Sequence, residues 1–406
     1  MYLSFNFEVH QPHRLNKFIN NDMDLWGRYM DINLNKELFK TVSKKSYYPA
    51  SYLLLDLIDE YDIKVSFSIT GTFIEQALEY DNYLLDIFKD LVDTKNVELM
   101  TETYYHSLSC FISEEEFTDE VKKHQYMTKD LFKYEPKVFR NTELIYNNRV
   151  AKIIENMGFD GIFTEGVDRV LEYGSPNYLY KTLSGLKVLL RNYSLSDDIG
   201  FRFSSQDWSE YPLTAEKYAN WINGCNGDCI NLYMDYETIG EHHTKESGIF
   251  EFLTALPEQL AMLEDIEYAT PSDLIKNCNP RGIINVFEHN TISWADMERD
   301  ASAWLGNKMQ DLAFQNLESL KNYINFFEYS KESQEYLLYK NLQTSDNFYY
   351  MCNKSSSDKD VHNYFSHFQS PYDAYGIYLN TIHDFKNYII LKSTNNEIID
   401  DIWIKN

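Results

Sequence analysis

No stretch of this 406-residue sequence approaches the roughly 18 consecutive apolar residues of a membrane-crossing helix. The amino terminus, MYLSFNFEVHQ, has neither the basic start nor the long apolar stretch of a secretory signal. It reads as a strand from Tyr2 onward, and a cytoplasmic location is expected. Positive charge is also short: 37 basic residues stand against 63 acidic ones, a balance of −26 with a pI near 4.7. Such a chain repels phosphate backbones and anionic lipid, so neither nucleic acid nor a membrane surface is an expected partner, and a neutral or cationic substrate fits better. Cysteine is sparse. Cys110, Cys225, Cys229, Cys278 and Cys352 are odd in number and scattered, as reduced thiols of a cytosolic protein are. Cys225 and Cys229 make a C-x3-C pair in a Gly/Asn loop, but with no second pair neither a metal site nor a disulfide is expected there. No GxGxxG or GxxxxGK[ST] follows any strand-like run, which argues against a nucleotide-binding fold.

What is present is a chain of globular proportions, 44% hydrophobic and 25% charged, long enough to bury a large core. Its 33 Tyr and 25 Phe would suit a sugar cleft, although Tyr, Asn, Ile and Lys are all abundant, so composition alone decides nothing. Short β-rich runs alternate with helical patterns. The runs are 2–10, 64–70, 97–103, 137–143, 160–165, 187–192 and 230–237, and segments such as 52–61 and 114–132 carry apolar residues at helical spacing. Ser113, with Glu116 three residues on, reads as a capping box for the helix over 114–132. This alternation predicts an α/β fold with a parallel sheet, doubly wound or closed into a barrel, over residues 1–280. Beyond it, 301–324 and 370–391 are amphipathic helices, so residues 281–406 read as a helical domain, with a polar loop at 352–360.

Chemistry gathers where the strands end. His10 closes the first, Glu75 follows the second, Glu102 leads to His106 after the third, Glu143 closes the fourth and Asp235 the seventh. In a parallel α/β barrel those ends form one functional rim. The stretch NLYMDYETIGEHH, residues 231–243, adds Glu237, Glu241, His242 and His243 to it. Two chemistries fit. A metal enzyme, of the deacetylase or α-mannosidase kind, would gather His10, His106, Asp235 and a further carboxylate around a divalent ion. A retaining glycosidase would need two carboxyl groups about 5 Å apart, one to attack the anomeric carbon and one to protonate the leaving oxygen.

The segments EVHQP, GTFIE, RNTELIYNN, MDYETIGEH and SWADMERDASAWLGNKMQ resemble, in order and spacing, the signature regions of glycoside hydrolase family 57. The resemblance runs from residue 8 to about 310 and is nearest the compact α-amylase-type members. It implies an incomplete TIM-like (β/α)7 barrel followed by a C-terminal helical domain that contributes to the cleft. It also implies retaining cleavage of α-1,4-glucosidic bonds in maltooligosaccharides, starch or glycogen-like α-glucans. Carried over, Glu143 becomes the nucleophile and Asp235 the general acid/base. His10, Glu75 and His106 become contacts or supports for the sugar, Glu237 a further acidic residue of the site, and Trp294 an aromatic wall supplied by the helical domain. Many members have Trp three residues before the nucleophile where this chain has Arg140, so Arg140 is read as a subsite residue that alters chain-length preference. That chemistry needs no metal or other cofactor, and His242 and His243 are then loop or subsite residues. A 4-α-glucanotransferase with the same covalent intermediate, or a weakly active carbohydrate-binding protein, is the alternative.

Overall fold

The computed structural model describes residues 1–172, 174–263, 265–354 and 366–403. Residues 355–360 of the polar loop read from sequence therefore lie outside the described residues. The chain forms two compact units. The first comprises Met1–Gln11, Lys36–Tyr104 and Glu114–Trp294; the second comprises Pro12–Asn35, Tyr105–Ser113 and Ala295–Asn406.

The first unit holds the strands β1 (Tyr2–Val9), β2 (Val65–Ile69), β3 (Val97–Met100), β4 (Val138–Arg140), β5 (Gly161–Glu165), β6 (Tyr180–Lys181), β7 (Lys187–Arg191), β8 (Cys229–Asp235) and β9 (Glu267–Tyr268). The spatial order is β3-β2-β1-β8-β7-β5-β4, every neighbouring pair parallel. A parallel bridge at Thr101↔Phe139, with Arg140 N–H on Thr101 O at 2.8 Å, joins the two ends. Seven parallel strands thus make a nearly closed barrel, the fold class expected. The β7–β8 seam is equally thin, pairing at Arg191↔Asn231. β6 lies antiparallel on β7, and β9 adds to β1; at two residues each, neither has a periodicity to read.

Alternation decides which way the strands face. Leu3, Phe5, Phe7 and Val9 of β1 join Val65, Phe67, Ile69, Ile230, Leu232 and Met234 in the apolar layer between barrel and helices. Each such side chain, fully buried, is worth about 1.5–3 kcal/mol. The inward positions are graded along the axis. Val138, Phe163 and Leu189 belong to an apolar cluster, and two residues later come Arg140, Glu165 and Arg191, all at the C-terminal ends and all buried. Ser4, Asn6 and Glu8 of β1 therefore do not meet solvent. Ser66 Oγ donates to Asn6 Oδ1 at 2.5 Å and Ser68 Oγ to Glu8 Oε2 at 2.9 Å, inside the barrel.

The second unit is mainly helical. Its longer helices are Lys308–Phe326 and Pro371–Trp403, with Gln334–Asn341 and Ser345–Tyr349 between them. Asn307 opens the first of these with a capping box closed by Gln310. Arg28 binds Asp384 at 2.6 Å, and Tyr29 donates to the same oxygen at 2.7 Å.

Candidate active site

The segment read as strand 137–143 ends its strand at Arg140, and the chain turns sharply just beyond it. Glu143 has φ 57° and Leu144 φ 51°. Two successive non-glycine residues in the left-handed region are costly and persist only where their surroundings fix them. Leu144 N–H donates to Asn141 O at 2.9 Å, Ile145 N–H to Thr142 O at 3.0 Å, and Trp294 N–H to Glu143 O at 3.2 Å. Asn147 and Asn148 of the same motif hold the segment that carries Trp294. Asn147 Nδ2 donates to Thr291 Oγ1 at 2.8 Å and Asn148 Nδ2 to Asn285 Oδ1 at 2.7 Å, while Tyr146 and Ile292 exchange backbone bonds. Trp294, expected from the helical part, thus belongs to the barrel unit. Its indole Nε1–H donates to Glu143 Oε2 at 2.7 Å.

Arg140, read as a subsite residue, is wholly buried. Its Nη1 lies 2.6 Å from Glu8 Oε2 and 3.5 Å from Glu102 Oε2, across the barrel. Burial opposes the guanidinium charge, but Glu8, Tyr233, Glu102 and Glu143 outweigh it and raise the pKa. A second buried cation, Arg191, binds Glu165 at 2.8 Å and Asp197 at 2.5 Å. Glu8, Glu165, Arg191 and Tyr233, none of them a site candidate from sequence, are buried at the same end. Their signal was a polar residue at the inward position near the ends of β1, β4, β5, β7 and β8.

Asp235 is the last residue of β8 and pairs in register with Glu8 of β1. Glu237, two residues on, is nearly buried at 7% exposure. Its Oε1 accepts from Tyr47 Oη and from His10 N–H, the latter at 3.3 Å. Burial first, and the neighbouring Asp235 second, push its carboxyl up to about 8. Glu237 therefore carries a proton at neutral pH. The folded form keeps a proton that the unfolded chain releases near 4.5, so this contribution to stability is complete below that pH and is lost as pH rises through about 8. Glu237→Gln, which stays neutral and can accept the same two bonds, is expected to flatten that decline. Thermal unfolding between pH 5 and 9 should show the wild type losing up to about 1.4 kcal/mol per pH unit that the variant does not lose.

The other expected residues divide between the units. His10 Nδ1 lies 3.0 Å from Thr70 Oγ1. Glu75 is on the helix Gly71–Tyr80 and accepts from Tyr104 Oη at 2.9 Å. A Cβ at Gly71 would come 2.4 Å from the Tyr104 ring, which explains the glycine of GTFIE. His106 falls in the second unit, with φ 49° and its carbonyl accepting from Ser345 N–H at 2.9 Å. His243 is a packed residue: Nε2 meets Gly200 O at 3.1 Å and Nδ1 meets Ser204 Oγ at 2.6 Å. Burial, then the adjacent His243, lowers His242 to about 3, so it stays neutral.

Comparison with known proteins fits this arrangement. The sequence profile of Glycosyl hydrolase family 57 matches residues 4–287. A Methanocaldococcus jannaschii protein named "Putative alpha-amylase" is 57% identical over 396 residues, 96% of this chain and 85% of that one. Among solved structures, the Thermococcus kodakaraensis branching enzyme of the family superposes with a TM-score of 0.67 at 13% identity, over 95% of this chain and 89% of that one. The Thermococcus litoralis 4-alpha-glucanotransferase gives 0.63 at 16% identity, over 86% of this chain; the match spans 56% of that longer protein. With the family profile spanning most of the barrel and the archaeal relative nearly the whole length, the chain belongs to glycoside hydrolase family 57.

Proposed function

We propose that the protein hydrolyses α-1,4-glucosidic bonds in maltooligosaccharides, starch or glycogen-like α-glucans, with retention of configuration. The observation that carries this reading is the placement of Glu143 and Asp235. One follows the C-terminal end of β4 and the other ends β8. Arg140, three residues before Glu143, pairs with Glu8, the register partner of Asp235. Tyr233, two residues before Asp235, meets edge-on the indole that holds Glu143, with centroids 6.0 Å apart. The name of the archaeal relative supports the α-glucan substrate.

In this reading Glu143 attacks the anomeric carbon and Asp235 protonates the departing oxygen, then deprotonates the incoming water. Glu237, its carboxyl pKa raised by burial and by the nearby Asp235, adds no second fixed charge beside the acid/base at neutral pH. His10 and Glu75 serve as contacts for the sugar at the cleavage point.

A defined maltooligosaccharide ladder tests the proposal. Smaller products alone are expected; longer ones would indicate transfer to a sugar acceptor, and an unchanged ladder would indicate binding without turnover. Because two carboxyl groups suffice for the chemistry, prolonged EDTA treatment followed by desalting should leave the rate within about twofold of the untreated enzyme. Activity lost to EDTA and restored by zinc would place the histidines on a metal and overturn the metal-free mechanism.

A further inference from the structure

We infer that Trp294 is the positioning residue of the nucleophile, holding the Glu143 carboxylate through its indole N–H, rather than a platform on which sugar stacks. The inference rests on the reading of Glu143 as nucleophile. Two bonds join the residues, Nε1–H to the carboxylate at 2.7 Å and backbone N–H to the Glu143 carbonyl at 3.2 Å. Together they fix both the left-handed turn of Glu143 and the direction of its side chain. A donor at that distance favours the ionised form of a carboxylate and restricts rotation about its last torsion. Both effects serve a group that must attack one carbon from one side.

The surroundings of the indole favour this role over stacking. The Arg140 guanidinium carbon is 4.8 Å from the ring centroid and that of Arg191 is 5.7 Å away. The Tyr233 ring stands nearly perpendicular to the indole, with centroids 6.0 Å apart. The partly buried ring already makes contact with two cations, each fixed by its own buried carboxylates. These cations hold the ring, the ring holds Glu143, and the Asn147–Thr291 and Asn148–Asn285 bonds hold the segment from which the ring projects. This also gives Arg140 a place. Three residues before Glu143, it supports the indole from below, and the donor to the nucleophile comes from position 294.

Trp294→Phe keeps an aromatic ring and removes the donor. We expect kcat to fall about 10- to 100-fold with KM changed less than threefold, since a bond to a charged group is lost and no sugar contact is. The acid limb of the pH–rate profile should move upward, because ionised Glu143 loses a donor. Trp294→His, which can again present an N–H, should recover part of kcat. A rise in KM with kcat intact would show a sugar platform and overturn the inference; a lower Tm with kcat, KM and pH profile unchanged would show a packing role and overturn it too. The wild type gives a second test that needs no variant. Of the six tryptophan indole N–H resonances, one should shift upfield when 5-fluoro-α-glucosyl fluoride traps the enzyme. No movement of any of them would also overturn the inference. Peptide mapping of the trapped enzyme separates the two claims. Label on Glu143 with an unaffected Trp294→Phe refutes the inference alone, whereas label on another residue refutes the reading of the nucleophile.

Discussion

Glu143→Ala should abolish turnover on every α-glucoside, whatever its leaving group, whereas Asp235→Ala should fail selectively. Removing the nucleophile deletes the bond-forming group. Removing the acid deletes a proton transfer worth typically about 10²–10⁴-fold, most of which an activated phenol or fluoride leaving group does not require. Asp235→Ala should therefore still form the glycosyl-enzyme from such substrates, and that intermediate should persist for want of a base to activate water. Azide needs no base. With Asp235→Ala it should release the α-glycosyl azide, the product of two inversions. With Glu143→Ala, azide entering the vacated place should give the β-anomer by one. The anomer found by NMR assigns the roles: exchanged outcomes reverse the assignment, and unimpaired turnover in both variants places the site elsewhere.

The barrel was legible because its outward faces obey the simplest rule. Leu3, Phe5, Phe7 and Val9 alternate with polar residues, and β2 and β8 follow the same pattern. The opposite face was harder to read. Asn6 and Glu8 would face water in an open sheet, and they face the lumen here because the sheet curls until the ends of β3 and β4 meet at Thr101 and Phe139. Curvature is a long-range property, so no window of sequence announces it. The strand ends were overestimated for a related reason. The runs 97–103, 137–143 and 230–237 keep a β-like composition past Met100, Arg140 and Asp235, where the backbone turns out of the ladder to present its side chains. The partners of individual residues were not legible at all. Arg140 stands three residues before Glu143 and invites reading as a surface contact. Only the cross-barrel approach of Glu8, some 130 residues earlier in the chain, shows why it is buried. The bond from Trp294 to Glu143 joins segments 151 residues apart and depends on the paired asparagines that pin one to the other.

Arg140→Met is the substitution expected to cost the fold most. Arg140 and Glu102 have no exposed surface and Glu8 has 2%. Methionine replaces much of the aliphatic stem but leaves two buried carboxyl groups facing each other without the cation between them. Breaking a buried pair from one side typically costs about 3–5 kcal/mol, mainly through the charge left behind rather than the attraction lost. The test exploits that origin. Adding Glu8→Gln and Glu102→Gln to Arg140→Met removes the stranded charge, so the triple variant should recover more than half of the stability that the single variant loses. Acid should act in the same direction, because carboxyl groups deprived of their cation take up protons more readily. The gap between Arg140→Met and wild type in denaturant unfolding should therefore be smaller at pH 5 than at pH 8. Activity should follow a different course. Arg140 also supports the indole that holds Glu143, so the triple variant, though refolded, should remain slow. If the stability loss is the same at both pH values and the two glutamines recover nothing, Arg140 contributes packing, and the charged layer beneath the rim is not what fixes this end of the barrel.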